Sequence, residues 1–147
     1  MNSKPASAGG PLVELSDDQC RTLLAQHTIA RIAWQGTRGP TVIPVNYAYD
    51  GERIRIRTAA YSALARECDD SVVAIEVDQI DEDGRFGWSV LLRGHCQIDF
   101  ERSGTRRDRW DDVPDAEPWP AGHHPLQLVV EPYEVHGRRV VPFEPKN

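Results

Sequence analysis

A chain of 147 residues, 39% hydrophobic and 27% charged, fits one domain with a proper core and has neither a disordered nor a membrane composition. Its net charge of -6 argues against general nucleic-acid binding, while leaving room for a local basic patch that holds a small anion. There is no apolar run near the length of a bilayer span and no signal-peptide core. The three cysteines, Cys20, Cys68 and Cys96, match neither a disulfide framework nor a zinc spacing, so a reducing cytoplasm is the expected compartment.

Residues 1–11, with Pro5, Gly9 and Gly10, read as a disordered lead-in, and residues 12–147 as a single domain. Ser16-Asp17-Asp18-Gln19 resembles a capping box. The helix it starts is expected to run to about His27, with Cys20, Leu23, Leu24 and His27 on one face. A lone histidine on an apolar stripe is a core or boundary residue more often than a ligand. A strand follows over 28–35, then a loop over 36–40. Thr41 to Thr58 reads as two strands joined at Asp50-Gly51, a dipeptide suited to a tight hairpin. Ile43, Val45, Tyr47 and Tyr49 share one face of the first strand. On the second, Ile54 and Ile56 face one way and Arg53, Arg55 and Arg57 the other.

Tyr61 to Cys68 reads as a short helix, and Ser71 to Asp78 as a buried strand with Val73, Ile75 and Val77 on one side. The acidic stretch Asp81-Glu82-Asp83-Gly84 matches no calcium loop and reads as a solvated turn. Phe86 to Phe100 is the longest strand, and Gly94 in its middle suggests a bulge or the close approach of another backbone. A charged helix over 101–110 leads into a proline-rich loop over 111–125 around Trp119. That tryptophan could cover a ligand or a partner subunit, or plug a gap in its own core. Leu126 to Glu134 forms a last strand, and the tail beyond carries Arg138 and Arg139. Six strands, joined mostly by short turns, with a few short helices, point to a small antiparallel barrel; a doubly wound sheet would need long helices that are missing.

The most suggestive chemistry sits at the end of the hairpin. Arg57, Thr58 and Ser62 bring a guanidinium, two hydroxyls and a possible helix start together, which suits a phosphate. The same residues also suit a half-exposed hairpin with solvated arginines. No Gly-x-Ser-x-Gly, His-Glu-x-x-His or phosphate-loop lysine motif occurs, and no nucleophile has an identifiable base. If the chain is an enzyme, an organic cofactor carries the reaction.

The ordered set Ile-Ala-Arg-Ile-Ala (29–33), Val-Ile-Pro-Val-Asn-Tyr (42–47), Arg-Thr (57–58), Ala-Ile-Glu-Val-Asp (74–78), Gly-Trp-Ser-Val (87–90) and Arg-Gly (93–94) resembles the pyridoxamine 5′-phosphate oxidase-like, FMN-binding split-barrel family. Within it, the chain is most similar to the short actinobacterial-type, nitroimidazole-reductase-like branch, over about residues 12 to 142. The resemblance implies a six-stranded antiparallel split β-barrel that forms a homodimer with two flavin sites at the interface. It places Arg57, Thr58 and Ser62 on the FMN phosphate, Pro44, Val45, Asn46 and Tyr47 along the flavin ring, and Trp88 and Ser89 from the partner subunit. Ala63 departs from the pattern, because relatives commonly place a lysine or arginine after the serine; Arg55 or Arg66 would have to compensate. The vitamin-binding C-terminal motif of longer relatives is not recognisable, so oxidation of pyridoxamine phosphate is not expected. The implied activity is that of an FMN-dependent oxidoreductase on a small molecule. Alternatives are a deazaflavin-dependent reductase, using Arg53, Arg55, Arg57 and Arg66 as a basic groove, and a non-catalytic protein that binds flavin or another planar ligand.

Overall fold

Period-two alternation governs most of the chain, and the structure, a computed structural model describing residues 9–101, 103 and 115–146, is accordingly mainly β. The elements are β1 (Gly9–Leu15), α1 (Asp17–Gln26), β2 (Ile29–Gly36), β3 (Gly39–Asn46), β4 (Ala48–Tyr49), β5 (Ile54–Thr58), α2 (Ala63–Cys68), β6 (Ser71–Asp81), β7 (Phe86–Ile98) and β8 (Leu126–Pro142). They form one antiparallel sheet in the order β3-β2-β6-β7-β8-β5-β4, with β1 added on β8, and it curls into a split barrel. All six expected strands are present, as β2, β3, β5, β6, β7 and β8. The sheet gains two more because Gly9 to Pro11, expected in the lead-in, belong to β1, and because the first hairpin strand breaks into β3 and β4. Residues 1–8 and most of the expected 101–110 helix lie outside the described residues.

β8 is the longest strand, running well past Glu134. It pairs with β7 from Leu128 to Val140, while its other edge pairs first with β5 (Leu126 to Val130) and then with β1 (Gly137 to Pro142). Between these two partners no strand among the described residues pairs with the edge from Glu131 to His136, and α1 packs against β8. The helix is held by the expected capping box: Gln19 N–H donates to Ser16 Oγ at 3.2 Å, and Ser16 N–H donates to Gln19 Oε1 at 2.8 Å. Its buried Cys20 and Leu24 join the core of Ile32, Ile54, Ile56, Ile75, Val90, Leu92 and Leu128. Gly137 is needed where helix meets strand, since a Cβ there would lie 2.4 Å from Cys20 Sγ.

The hairpin differs from expectation in its pairing. β3 pairs along its whole length with β2, from Ile29↔Asn46 to Gly36↔Gly39, and only Ala48 and Tyr49 pair with β5. The turn itself forms at Asp50-Gly51, where Asp50 Oδ1 accepts from the Glu52 and Arg53 N–H groups and Gly51 takes a φ of 96°. Tyr47 marks the corner between the two pairings. Its N–H donates to the Thr28 carbonyl at 2.9 Å, and its buried hydroxyl donates to the Leu24 carbonyl at 2.6 Å.

The register of β7 on β8 shifts between Arg93 and Gly94, as a glycine in mid-strand suggested. The neighbouring backbone comes so close that a Cβ on Gly94 would sit 2.4 Å from the Glu131 carbonyl oxygen. Gly94→Ala should therefore cost about 1–3 kcal/mol through overpacking against backbone. Urea titration checks this, and an unchanged midpoint would mean that β8 can shift away without loss.

Candidate functional site

β5 places Arg55 and Arg57 on the face opposite Ile54 and Ile56, as alternation requires, but neither arginine is solvated. Arg55 is 4% exposed. Its Nη2 meets Asp50 Oδ2 at 3.2 Å, and its Nη1 lies 3.6 Å from Asp99 Oδ2 and 3.5 Å from Gln127 Oε1. Burial pulls the Asp50 pKa upward, yet the Arg53 and Glu52 N–H groups and then the Arg55 guanidinium outweigh it and hold the carboxyl below its ordinary value. Arg55 is thus consumed in a structural ion cluster, which removes it as a substitute for the cation missing at Ala63.

Thr58 and Ser62 do converge, while Arg57, one residue before Thr58, leaves the opposite face of β5. Thr58 Oγ1 donates to Ser62 Oγ at 2.7 Å, and the Ala65 N–H donates to the same oxygen at 3.0 Å, capping α2. Two donors on Ser62 Oγ leave its own O–H to donate outward. Ala63 is exposed, and Arg66 turns back to the Tyr61 carbonyl at 2.6 Å. Arg57 has a partner that local pattern could not reveal. Its Nε donates to both oxygens of Asp115, at 2.9 and 2.8 Å, while Nη1 donates to the Pro125 carbonyl at 3.4 Å. Asp115 Oδ1 also accepts from buried Gln127 at 3.0 Å. This contact spans 58 residues of sequence, and no signal near Asp115 announces it.

The strand expected along a flavin ring lies at one end of the sheet order, so β3 has an edge that no strand among the described residues pairs with. Its backbone donors are fewer than the resemblance suggested. Pro44 has no N–H, that of Tyr47 goes to Thr28, and that of Val45, two residues earlier, points into the same β2 ladder, leaving Asn46. Asn46 Oδ1 accepts from the Trp119 N–H at 2.9 Å, so the segment after Asp115 runs from the arginine to this strand. The Trp119 ring is 73% exposed and plugs no gap in its own core; Ala116 is the residue of that segment that is buried.

Trp88 and Ser89 are not brought to Arg57 within one chain. The Arg57↔Gln127 pairing adjoins Leu128↔Ile98, whereas Trp88 lies ten residues earlier on β7, about 33 Å along the strand. Trp88 packs on His27, with ring centroids 4.9 Å apart, so His27 is a boundary residue. Together with Ile80, Phe86 and Val140, Trp88 and Ser89 line a cleft of about 370 Å³. Ser89 also borders a cavity of about 780 Å³ beside Glu76, Leu91, His136 and Arg138.

On that outer face Arg31 Nη1 reaches Asp78 Oδ2 at 2.9 Å and Glu76 Oε2 at 3.6 Å, while buried Glu76 Oε1 has no hydrogen-bond partner. Burial, followed by the hydrogen bond and charge of Asp78, pushes the Glu76 pKa to about 7 against a downward pull from Arg31. A carboxyl whose folded pKa is raised binds its proton more tightly in the folded state. Stability should then fall as pH rises from about 4.5 to about 7 and level off above that. Thermal melts across this range should show the slope in the parent and a reduced one in Glu76→Gln; equal slopes would mean that Glu76 ionises freely.

Residues 16–139 match the sequence model of the family described as pyridoxamine 5′-phosphate oxidase. The uncharacterized protein Rv0080 of Mycobacterium tuberculosis is 32% identical over 136 residues, covering 88% of this chain and 86% of that protein. Among solved structures, an FAD binding protein from Mycobacterium smegmatis superposes with a TM-score of 0.65 at 22% identity, covering 88% of this chain and 98% of that one. An FAD-binding protein from Mesorhizobium loti superposes with a TM-score of 0.66 at 18% identity, covering 89% and 98%. The structural likenesses agree with the split barrel built above, and no helix among the described residues is long and apolar enough to cross a membrane. With the family model spanning most of the chain, the protein belongs to the pyridoxamine 5′-phosphate oxidase family.

Proposed function

We propose that the protein is a flavin-binding oxidoreductase, FMN being the flavin, that works as a homodimer on a small molecule. The observation that carries this reading is the Thr58–Ser62 hydroxyl pair at one end of β5, with the Arg57 guanidinium one residue away in sequence, chemistry that suits a phosphate. Family membership and the flavin named for two structural relatives support it. When bound, the flavin supplies the electron or hydride transfer. The chain's own part is to hold the phosphate at Arg57, Thr58 and Ser62, to orient the ring along Val45 and Asn46, and to close the site with Trp88 and Ser89 of a second copy. Those last two residues lie far from Arg57 along the same chain, which is the arrangement a site shared between two copies would have.

A deazaflavin coenzyme fits less well. Its multiply charged tail needs a continuous basic groove, yet Arg53 lies 3.8 Å from Glu131, Arg55 and Arg57 are ion-paired, and Arg66 is turned to Tyr61.

Titration with FMN, followed by flavin fluorescence, tests the assignment. Arg57→Ala should weaken FMN by about 1.5–3 kcal/mol, roughly ten- to a hundredfold, and leave riboflavin, which lacks the phosphate, almost unaffected. Equal FMN affinity in parent and variant would remove the anion site from the reading. Turnover of an added electron acceptor by the reduced protein separates an oxidoreductase from a flavin store. Light scattering should give a dimer with an interface of the obligate kind. A monomer at micromolar concentration with FMN present would contradict the shared site.

A further inference from the structure

The anion site just described is not electropositive, because a carboxylate of the same chain already sits on its main cation. Asp115 places both oxygens on Arg57 Nε, at 2.9 and 2.8 Å, and Oδ1 takes a further bond from Gln127 Nε2 at 3.0 Å. The guanidinium is the sheltered partner, its side chain 14% exposed, while Asp115 is an exposed residue with its side chain 32% exposed. Gln127 is 2% exposed and Ala116, the next residue after Asp115, is also 2% exposed, so the carboxylate is held on a packed seat. Three residues further on, the Trp119 N–H is bonded to Asn46 Oδ1 on the other side of the candidate site. One irregular segment is thus pinned at both the anion end and the ring strand.

We propose that Asp115 sets the ligand selectivity of this site as an internal counter-ion: a phosphate-bearing ligand binds Arg57 only by displacing the Asp115 carboxylate. The inference rests on the anion-site reading above and deepens it. A carboxylate and a phosphate cannot both crowd one guanidinium without like-charge repulsion in a sheltered place. Ala63 supplies no second cation to relieve that repulsion, and Arg55 is held by Asp50 and Asp99. The carboxylate therefore handicaps phosphorylated ligands relative to neutral ones of the same shape. Displacement also carries a cost at Gln127, which loses an acceptor when the carboxylate leaves.

Asp115→Asn tests this with little change of shape, since the amide oxygen can still accept from Gln127. FMN should bind the variant at least about tenfold more tightly than the parent, while riboflavin should bind both alike. The Arg57 Nε–H resonance gives a readout that needs no flavin. Inorganic pyrophosphate should shift it at lower concentration in Asp115→Asn than in the parent. An FMN affinity equal to or below that of the parent would overturn the proposal. So would a lowered melting temperature with all affinities unchanged, the behaviour of an ion pair that only fastens the segment. If neither protein binds any flavin, the flavin assignment fails by itself, and the pyrophosphate titration still decides the role of Asp115: equal midpoints reject it.

Discussion

Both edges of β8 are used in succession, and the rest of the molecule depends on that arrangement. β7 lines one edge from Leu128 to Val140; β5 and then β1 line the other. Over Glu131 to His136 no strand among the described residues pairs with the second edge, and Pro132, which has no N–H to offer, sits within that interval. α1 packs on β8, with Cys20 set against Gly137 where the β1 pairing begins. The bulge lies on β8, where Tyr133 is the extra residue opposite the Arg93–Gly94 step, and it bends β8. Because β5 is fixed on β8 through Arg57↔Gln127, the buried glutamine that braces the candidate anion site is delivered by the same pairing that builds the barrel.

Tyr47 is the second point on which the site's geometry turns. Its N–H and hydroxyl tie the chain to Thr28 and Leu24, and beyond it the backbone leaves β2 for β5. The corner removes one backbone donor from the strand that would face a flavin ring. It also presents Asn46 at the sheet end, where the Trp119 segment meets it. A packing decision at the corner thus limits which atoms remain for ligand chemistry.

Local pattern made the strands legible because each buries one face: Val73, Ile75 and Val77 on β6, and Val90, Leu92 and Cys96 on β7, alternate as an antiparallel barrel demands. The α1 cap was legible for a similar reason, since its signal lies within four residues. What stayed hidden depends on distant partners. Gly9-Gly10-Pro11 reads as a chain breaker, and becomes part of a strand only because residues up to Pro142 lie beside it. Arg55 and Arg57 look exposed by alternation, since nothing near them in sequence shows that Gln127 of the neighbouring β8 and the Asp115 segment meet them on that face. Thr58 and Ser62, four residues apart, were found together; Asp115, 58 residues from Arg57, was not.

That difference in reach bears on how the site works. β5 carries two sheltered arginines on one face, and burying a cation requires a carboxylate close by. Among the described residues three meet that requirement: Asp50 and Asp99 on Arg55, and Asp115 on Arg57. The first two sit on a cation that is 4% exposed and form a closed structural cluster. The third is the most exposed of the three and comes from an irregular segment, so it is the carboxylate that an incoming anion can replace at least cost to the core. A sheltered arginine at a candidate anion site needs a carboxylate beside it when no anion is bound. In this chain, with alanine at position 63, Asp115 serves that purpose, and on the proposed reading it is also the barrier a phosphate must overcome.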